Sequence, residues 1–318
     1  MNLAIAYEAA GSMTPRWLLR VGWGRLILLV TLTTLFFGLV GYSILSPSDP
    51  HERYLAATSE ESPDLPSMPT VPQVGAGFDT YASISLQHPL GTDQRGRDLL
   101  LRLAHGARTS LIAGLVCTVC FLLLGVTFGV MGGYVEGPWR TVSIFLLNLV
   151  NNFPILLLLL LSVIIIDSLV SSEWLPLRGY LLMALLGVFS SPKLSELIRG
   201  HIRSLKETAF VQAAVALGLS SPTIVGKHIL WLECRALIFV QAAYIMGQAI
   251  LIETTLTYLT FGLEHPRVSW GLMTREMASA IFVGEPAVLI VVVAMTASVF
   301  YFQLLAAVLN VVLSPDRR

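Results

Sequence analysis

The chain has 318 residues, a formal net charge of zero and a pI near 7.0. Charged residues make up 13% and hydrophobic ones 55%, with mean hydropathy +0.74, whereas charged residues are about a quarter of an ordinary soluble domain. That balance excludes a soluble globular enzyme, and the neutral charge gives no footprint for nucleic acid.

A bilayer core of roughly 30 Å needs about 20 apolar residues per helix. Six runs qualify, near 26–45, 109–131, 142–166, 177–191, 236–262 and 286–313. The first follows Arg16, Arg20 and Arg25 within an N-terminal segment 1–25. It is longer than a signal peptide core and lacks a small-residue cleavage site, so it reads as an uncleaved anchor. Between it and the second run lies a loop, 46–108, rich in proline over its first part. The second run contains Cys117 and Cys120, but a redox pair needs a thiolate and solvent, so these read as small packing residues. The fourth run is the weakest, bracketed by Arg178 and Lys193, so Arg178 is expected to snorkel to the interface.

Basic residues fix the expected orientation. With the N-terminus inside, the cytoplasmic segments hold twelve of the 20 Lys and Arg residues, and much of the remainder lies in one long loop that counts little. Both ends, including the tail 314–318, are therefore expected in the cytoplasm. So is the polar loop 192–235 inside the core 109–313.

That loop contains "FVQAAVALGLSSPTIVGKHIL". Phe210, Ala214 and Leu217 fall at i, i+4 and i+7, one apolar face of a short helix. Gly218 suits the left-handed position after a helix end, and Ser221 with Pro222 suits the start of another. A short helix held away from the membrane is a shape for docking a partner.

Energy-coupling chemistry is missing from the chain. No G-x-x-x-x-G-K-[ST] occurs, since the one Gly–Lys pair, Gly226–Lys227, precedes His228 and lacks the upstream glycine. The six histidines match no zinc motif, so neither a metal nor a cofactor is expected. Glu253 is the single carboxylate deep in a span, either a structural hydrogen-bonding group or part of a substrate path.

Taken together these residues resemble the inner-membrane permease subunits of bacterial ABC importers, specifically the C-type subunit of dipeptide/oligopeptide systems. "HPLGTDQRGRDLLLRLAHGARTSL" at 88–111 is similar to that subfamily's hallmark segment. "SLKETAFVQAAVALGLSSPTIVGKHIL" at 204–230 resembles its cytoplasmic E-A-A loop, and "IETTLTYLTFGLEHPRVSWGLM" at 252–273 resembles its E-x-x-L-S-F-L-G-L-G segment with the following S-W-G. "VVLSPDRR" resembles its D-P-R ending, so the likeness covers roughly 88–318. Departures are Gln212 for the motif's Glu, Trp231 for its closing Pro, and Asn148 for a usual Asp.

The resemblance implies an all-α polytopic membrane protein with a type I ABC importer fold of about six spans. It implies a multi-pass location in the bacterial inner membrane and half of a peptide translocation pathway. The expected partners are a homologous B-type permease, two ABC ATPase subunits, an extracytoplasmic solute-binding protein and membrane lipid. Phe210, Gln212, Ala213, Ala214, Leu217 and Gly218 would form the ATPase-coupling loop. Gly91, Thr92, Asp93, Gly96, Arg97 and Asp98 would form an outer motif. In that motif Leu99, Leu100 and Leu103 are expected on the membrane interface, and Arg97, Asp98 and Arg102 facing water. The alternative reading is the same machine with antimicrobial peptides or nickel and other metal chelates as its substrate. An ion-coupled carrier would instead move substrate on an ion gradient without ATPase chains, and a membrane scaffold would move nothing.

Overall fold

The computed structural model describes residues 21–46, 49–51, 81–86, 88–169, 177–263, 267–278 and 287–314. Helices dominate these residues, and an isolated antiparallel bridge joins Thr92 to Asp98. In chain order they are α1 (Trp23–Leu45), α2 (Leu99–Gly133), α3 (Pro138–Asn151), α4 (Ile155–Leu169) and α5 (Arg178–Lys206). Then come α6 (Ala209–Ala216), α7 (Ser221–Thr223), a π-helical stretch Ile224–Glu233, α8 (Arg235–Tyr258), α9 (Trp270–Glu276) and α10 (Ala287–Leu313).

Helices α1, α2, α5, α8 and α10 are each long and apolar enough to cross a membrane, and α3 with α4 makes a sixth crossing if the pair counts as one. The run expected at 142–166 is therefore not one straight helix. It bends by 92° between α3 and α4, where Pro154 cannot continue the hydrogen-bond ladder of the preceding turn. The second run begins ten residues earlier than its apolar stretch, because Asp98 caps α2 by accepting the Leu101 amide at 2.7 Å. The fourth run is longer than its apolar core as well: α5 has 29 residues and continues through Pro192. Arg178 is buried, and its guanidinium lies 3.1 Å from Asp167 at the end of α4, rather than snorkelling alone.

The described chain divides into two compact units. One takes in the described residues within 1–34, 113–251 and 298–318, and its packing depends on close backbone approach between α2 and α5. Gly125, Gly129 and Gly133 repeat every four residues along one face of α2, and any Cβ there would press on Leu194, Ile198 and Ile202 of α5. Without a hydrophobic drive between helices in lipid, such small-residue faces let backbones meet and gain dispersion contacts. Cys117 packs in the same seam, with its carbonyl oxygen against the face of Gly187. Val163 and Ile166 of α4 pack on Leu182 and Leu185 of α5.

The other unit takes in the described residues within 35–112 and 252–297. Trp270 is its largest fully buried side chain. The indole fills the space that Gly106 leaves open and donates from Nε1 to the Leu103 carbonyl at 3.0 Å. Phe36 closes on it edge-on, with ring centroids 6.4 Å apart.

Candidate functional site

Residues 88–98 fold into a compact loop organised around Asp93, which has no exposed surface. Its Oδ1 accepts the amides of Arg95 at 2.8 Å and Arg97 at 3.0 Å, closing an Asx turn. Its Oδ2 accepts Arg97 Nε at 2.8 Å and also Arg102 Nη1. Thr92 Oγ1 accepts the Ala82 amide at 2.8 Å. Gly91 has φ +77°, and a Cβ there would overlap the Ala82 carbonyl oxygen, so both conformation and space require glycine. Gly96 turns the chain with φ +69° and returns its amide to the Asp93 carbonyl at 3.0 Å.

Three arginines, Arg95 and Arg97 of this loop and Arg102 of α2, meet a carboxylate far along the chain. Arg97 Nη2 and Arg102 Nη2 each donate to Glu276 Oε2 at 2.7 Å, and Arg95 Nη1 donates to Glu276 Oε1 at 3.1 Å. The result is an alternating quartet, Asp93–Arg97–Glu276–Arg102, in which each guanidinium touches both carboxylates. Gln94 adds a side-chain amide to the Glu276 carbonyl. Beside it, His88 Nδ1 lies 3.0 Å from Asp98 Oδ2.

The expectation that Arg97, Asp98 and Arg102 face water is therefore overturned: their exposures are 3%, 8% and 0%. Leu99 and Leu103 are buried in the same unit rather than laid on an interface. The physical reason is Glu276, which together with Asp93 neutralises both guanidiniums and removes the need for solvent. Burial alone would push the Glu276 carboxyl up, but the charges and hydrogen bonds of Arg102 and Arg97 hold it at about 2. Asp93 behaves alike: burial opposes ionisation, and Arg102 and Arg97 still keep its pKa below the usual carboxylate value.

Glu253 is buried in the same unit, at 1% exposure. Its Oε2 accepts Ser110 Oγ at 3.0 Å and its Oε1 accepts Thr257 Oγ1 at 2.9 Å. Thr257 Oγ1 in turn accepts the Leu263 amide at 3.0 Å, so the carboxylate anchors the turn that ends α8.

The residues expected to form the coupling loop lie in the other unit. Helix α6 has eight residues and ends on Gly218 at φ +77°, with the Leu219 amide returning to the Ala214 carbonyl at 3.2 Å. Its buried face is Val211 and Ala214, at 3% and 7%. Phe210, Gln212, Ala213, Leu217 and Gly218 are exposed, Leu217 at 81%. So Phe210 and Leu217 do not share a packed face with Ala214, as the seven-residue spacing suggested. They stand on the outward side of a helix whose inner side is already used. The next helix starts one residue earlier than expected, with Ser220 in the capping position, and continues with i→i+5 bonds such as Cys234 N to Ile229 O at 2.9 Å.

Residues 125–315 match the family model of the binding-protein-dependent transport system inner membrane component. The chain belongs to that family. It is thus a multi-pass inner-membrane permease subunit of an ABC importer, of a family that carries no ATPase activity itself. Curated relatives agree. It is 30% identical over 192 residues to the oligopeptide transport system permease protein OppC of Haemophilus influenzae, covering 60% of this chain and 58% of that one. It is 28% identical over 231 residues to the glutathione transport system permease protein GsiD of Pectobacterium atrosepticum, covering 73% of each. GsiD of Escherichia coli O1:K1 is 29% identical over the same length.

The permease residues that sequence reading missed are Glu276, Ser110 and the glycine face of α2. Glu276 sits in "WGLMTREMAS", where nothing marks a carboxylate as the partner of residues far upstream. The glycine face was legible, since Gly125, Gly129 and Gly133 keep a strict four-residue spacing.

Proposed function

We propose that this permease forms half of a translocation pathway for peptides, with both termini and the 192–235 loop in the cytoplasm. It pairs with a homologous B-type permease, receives substrate from an extracytoplasmic solute-binding protein, and is driven by two ABC ATPase subunits. The substrate class is supported by the relatives, whose names specify oligopeptides and glutathione, itself a small peptide.

The coupling role rests on one observation above all. Helix α6 is anchored by Val211 and Ala214 and turns on Gly218, while Phe210 and Leu217 stay exposed at 43% and 81%. An anchored short helix with apolar side chains facing outward is built to enter a cleft on another protein. ATP-driven closure of the ATPase pair would move this helix and, through α5 and the π-helical stretch, the spans beside it. In this reading the quartet of residues 93–102 with 276 is structural, a rigid frame on the extracytoplasmic side, and Glu253 is a structural hydrogen-bonding group.

Cysteine labelling in intact cells tests the orientation. A thiol introduced at exposed Ser83 is expected to react with an impermeant reagent, and one at exposed Ser220 only after the membrane is opened. The reverse pattern would overturn the topology.

A further inference from the structure

Three arginines lie near the first half of α3. Arg199 of α5 lays its aliphatic stem across Gly132, where a Cβ would meet Arg199 Cδ at 3.1 Å and Ile144 Cγ1 of α3 at 3.7 Å. Arg140 stands one turn before Ile144 on α3, and Arg203 one turn after Arg199 on α5. The positive charges of Arg140 and Arg199 both bear on the Arg203 guanidinium. Among the described residues no carboxylate forms an ion pair with Arg140 or Arg203, and the contact of Arg199 with exposed Glu196 is a long 3.9 Å. Asn148 lines the cleft between α3 and α5 together with Arg199 and Glu196, and its amide adds no second negative charge there.

The surrounding surface is apolar. Trp139, Val142, Phe145, Leu146 and Leu149 of α3 are exposed, Trp139 and Phe145 at 65% each. Helix α3 has 14 residues, about 21 Å, too short to cross a bilayer alone, and the 92° bend turns it away from the direction of α4. Such a helix, with an aromatic residue and an arginine side by side at its start, suits the boundary between headgroups and acyl chains.

We propose that Arg140, Arg199 and Arg203 bind the phosphate headgroup of an anionic phospholipid whose acyl chains lie along the exposed apolar face of α3. Three guanidiniums against a single exposed carboxylate leave a net positive charge that recognises phosphate, and the adjacent Trp139 and Phe145 specify that the phosphate arrives on a lipid rather than free in solution. The leaflet, but not the site, rests on the orientation proposed above.

The complete transporter, purified with its partner chains, is placed in vesicles of phosphatidylcholine and phosphatidylglycerol carrying a trace of photoactivatable phosphatidylglycerol. Crosslinks are expected on α3 of this chain, falling about fivefold for each of Arg140→Gln, Arg199→Gln and Arg203→Gln. Lys193→Gln, which removes an exposed charge elsewhere on α5, should leave them unchanged, and excess glycerol phosphate should not compete. Equal labelling in all three variants, or labelling abolished by glycerol phosphate, overturns the proposal. Unchanged labelling with loss of the co-purifying ATPase chains would assign the arginines to a protein contact instead. Reversed thiol accessibility at Ser83 and Ser220 would move the site to the other leaflet and leave the crosslinking result standing.

Discussion

Glu276 accepts a 2.7 Å bond from Arg102, a residue 174 positions earlier in the chain whose side chain has no exposed surface. The contact is tolerated only because Asp93 and Arg97 complete the set, leaving two positive and two negative charges in mutual contact. Removing one partner strands the others. Glu276→Gln is expected to lower the stability of the permease by about 3–5 kcal/mol. Arg95→Ala, whose side chain is 45% exposed, should cost under about 1 kcal/mol. Thermal unfolding in detergent, followed by size-exclusion fluorescence, separates the two; equal effects would mean that the quartet adds nothing.

Both carboxylates of the quartet have depressed folded-state pKa values, so their contribution to stability is fully present above the unfolded values. It is lost as pH falls through the folded ones. For Glu276 the window runs from its ordinary 4.5 down to about 2. The unfolding temperature of the parent should therefore gain nothing from this group between pH 7 and 5 and drop below about 4.5. In Glu276→Gln that component of the acid drop should vanish. A parent curve that falls already near pH 6, and falls less in the variant, would contradict the assignment.

The seam between α2 and α5 makes a steric forecast. A Cβ on residue 187 would overlap the Cys117 carbonyl oxygen and approach Cys120 Cβ at 2.9 Å. Gly187→Ala should cost about 1–3 kcal/mol by prying the helices apart. Gly200→Ala, with open space around it on the same helix, should be neutral or slightly stabilising. Comparing folded yield and unfolding temperature of the two decides it.

Glu253 tests the difference between structure and pathway. Its two oxygens are occupied by Ser110 and Thr257 inside the protein. Glu253→Gln should keep ATP-dependent uptake with its dependence on external pH unchanged, and cost about 1–3 kcal/mol of stability through a mismatched donor. Loss of uptake in a variant as stable as the parent would place Glu253 on the substrate path.

How much of the fold and the site is legible in the sequence depends on the range of the cause. The spans at 26–45, 236–262 and 286–313 agree with the helices within a few residues, because length and hydropathy are local properties of each run. The turn at Gly218 follows from one residue's backbone freedom and has the expected positive φ. The bend before Pro154 has a local signal as well, hidden by the apolar residues that continue on both sides. The extent of α2 has none, since its start is set by the Asp98 cap within a polar motif that hydropathy reads as loop. Burial of Arg97 and Arg102 is beyond local reading altogether. A guanidinium in isolation belongs in water, and what brings these two inside is a carboxylate more than 170 residues away.

Geometry also moves the site at which coupling should be probed. Ala214 belongs to the loop expected to meet the ATPase, but it packs inside the permease, so Ala214→Glu should destabilise the loop itself by about 3 kcal/mol or more. A clean probe must alter the outward side of α6 and leave its anchor intact.

Leu217→Asp does so, because the side chain is 81% exposed and its replacement should change permease stability by no more than about 0.5 kcal/mol. The decisive measurement is co-purification of the ATPase chains with this variant, together with substrate-stimulated ATP hydrolysis in reconstituted membranes. Docking through the exposed tip of α6 requires a normally inserted permease that loses its ATPase chains or hydrolyses ATP without uptake. A Leu217→Asp permease that retains them and couples hydrolysis to uptake as the parent does would contradict it.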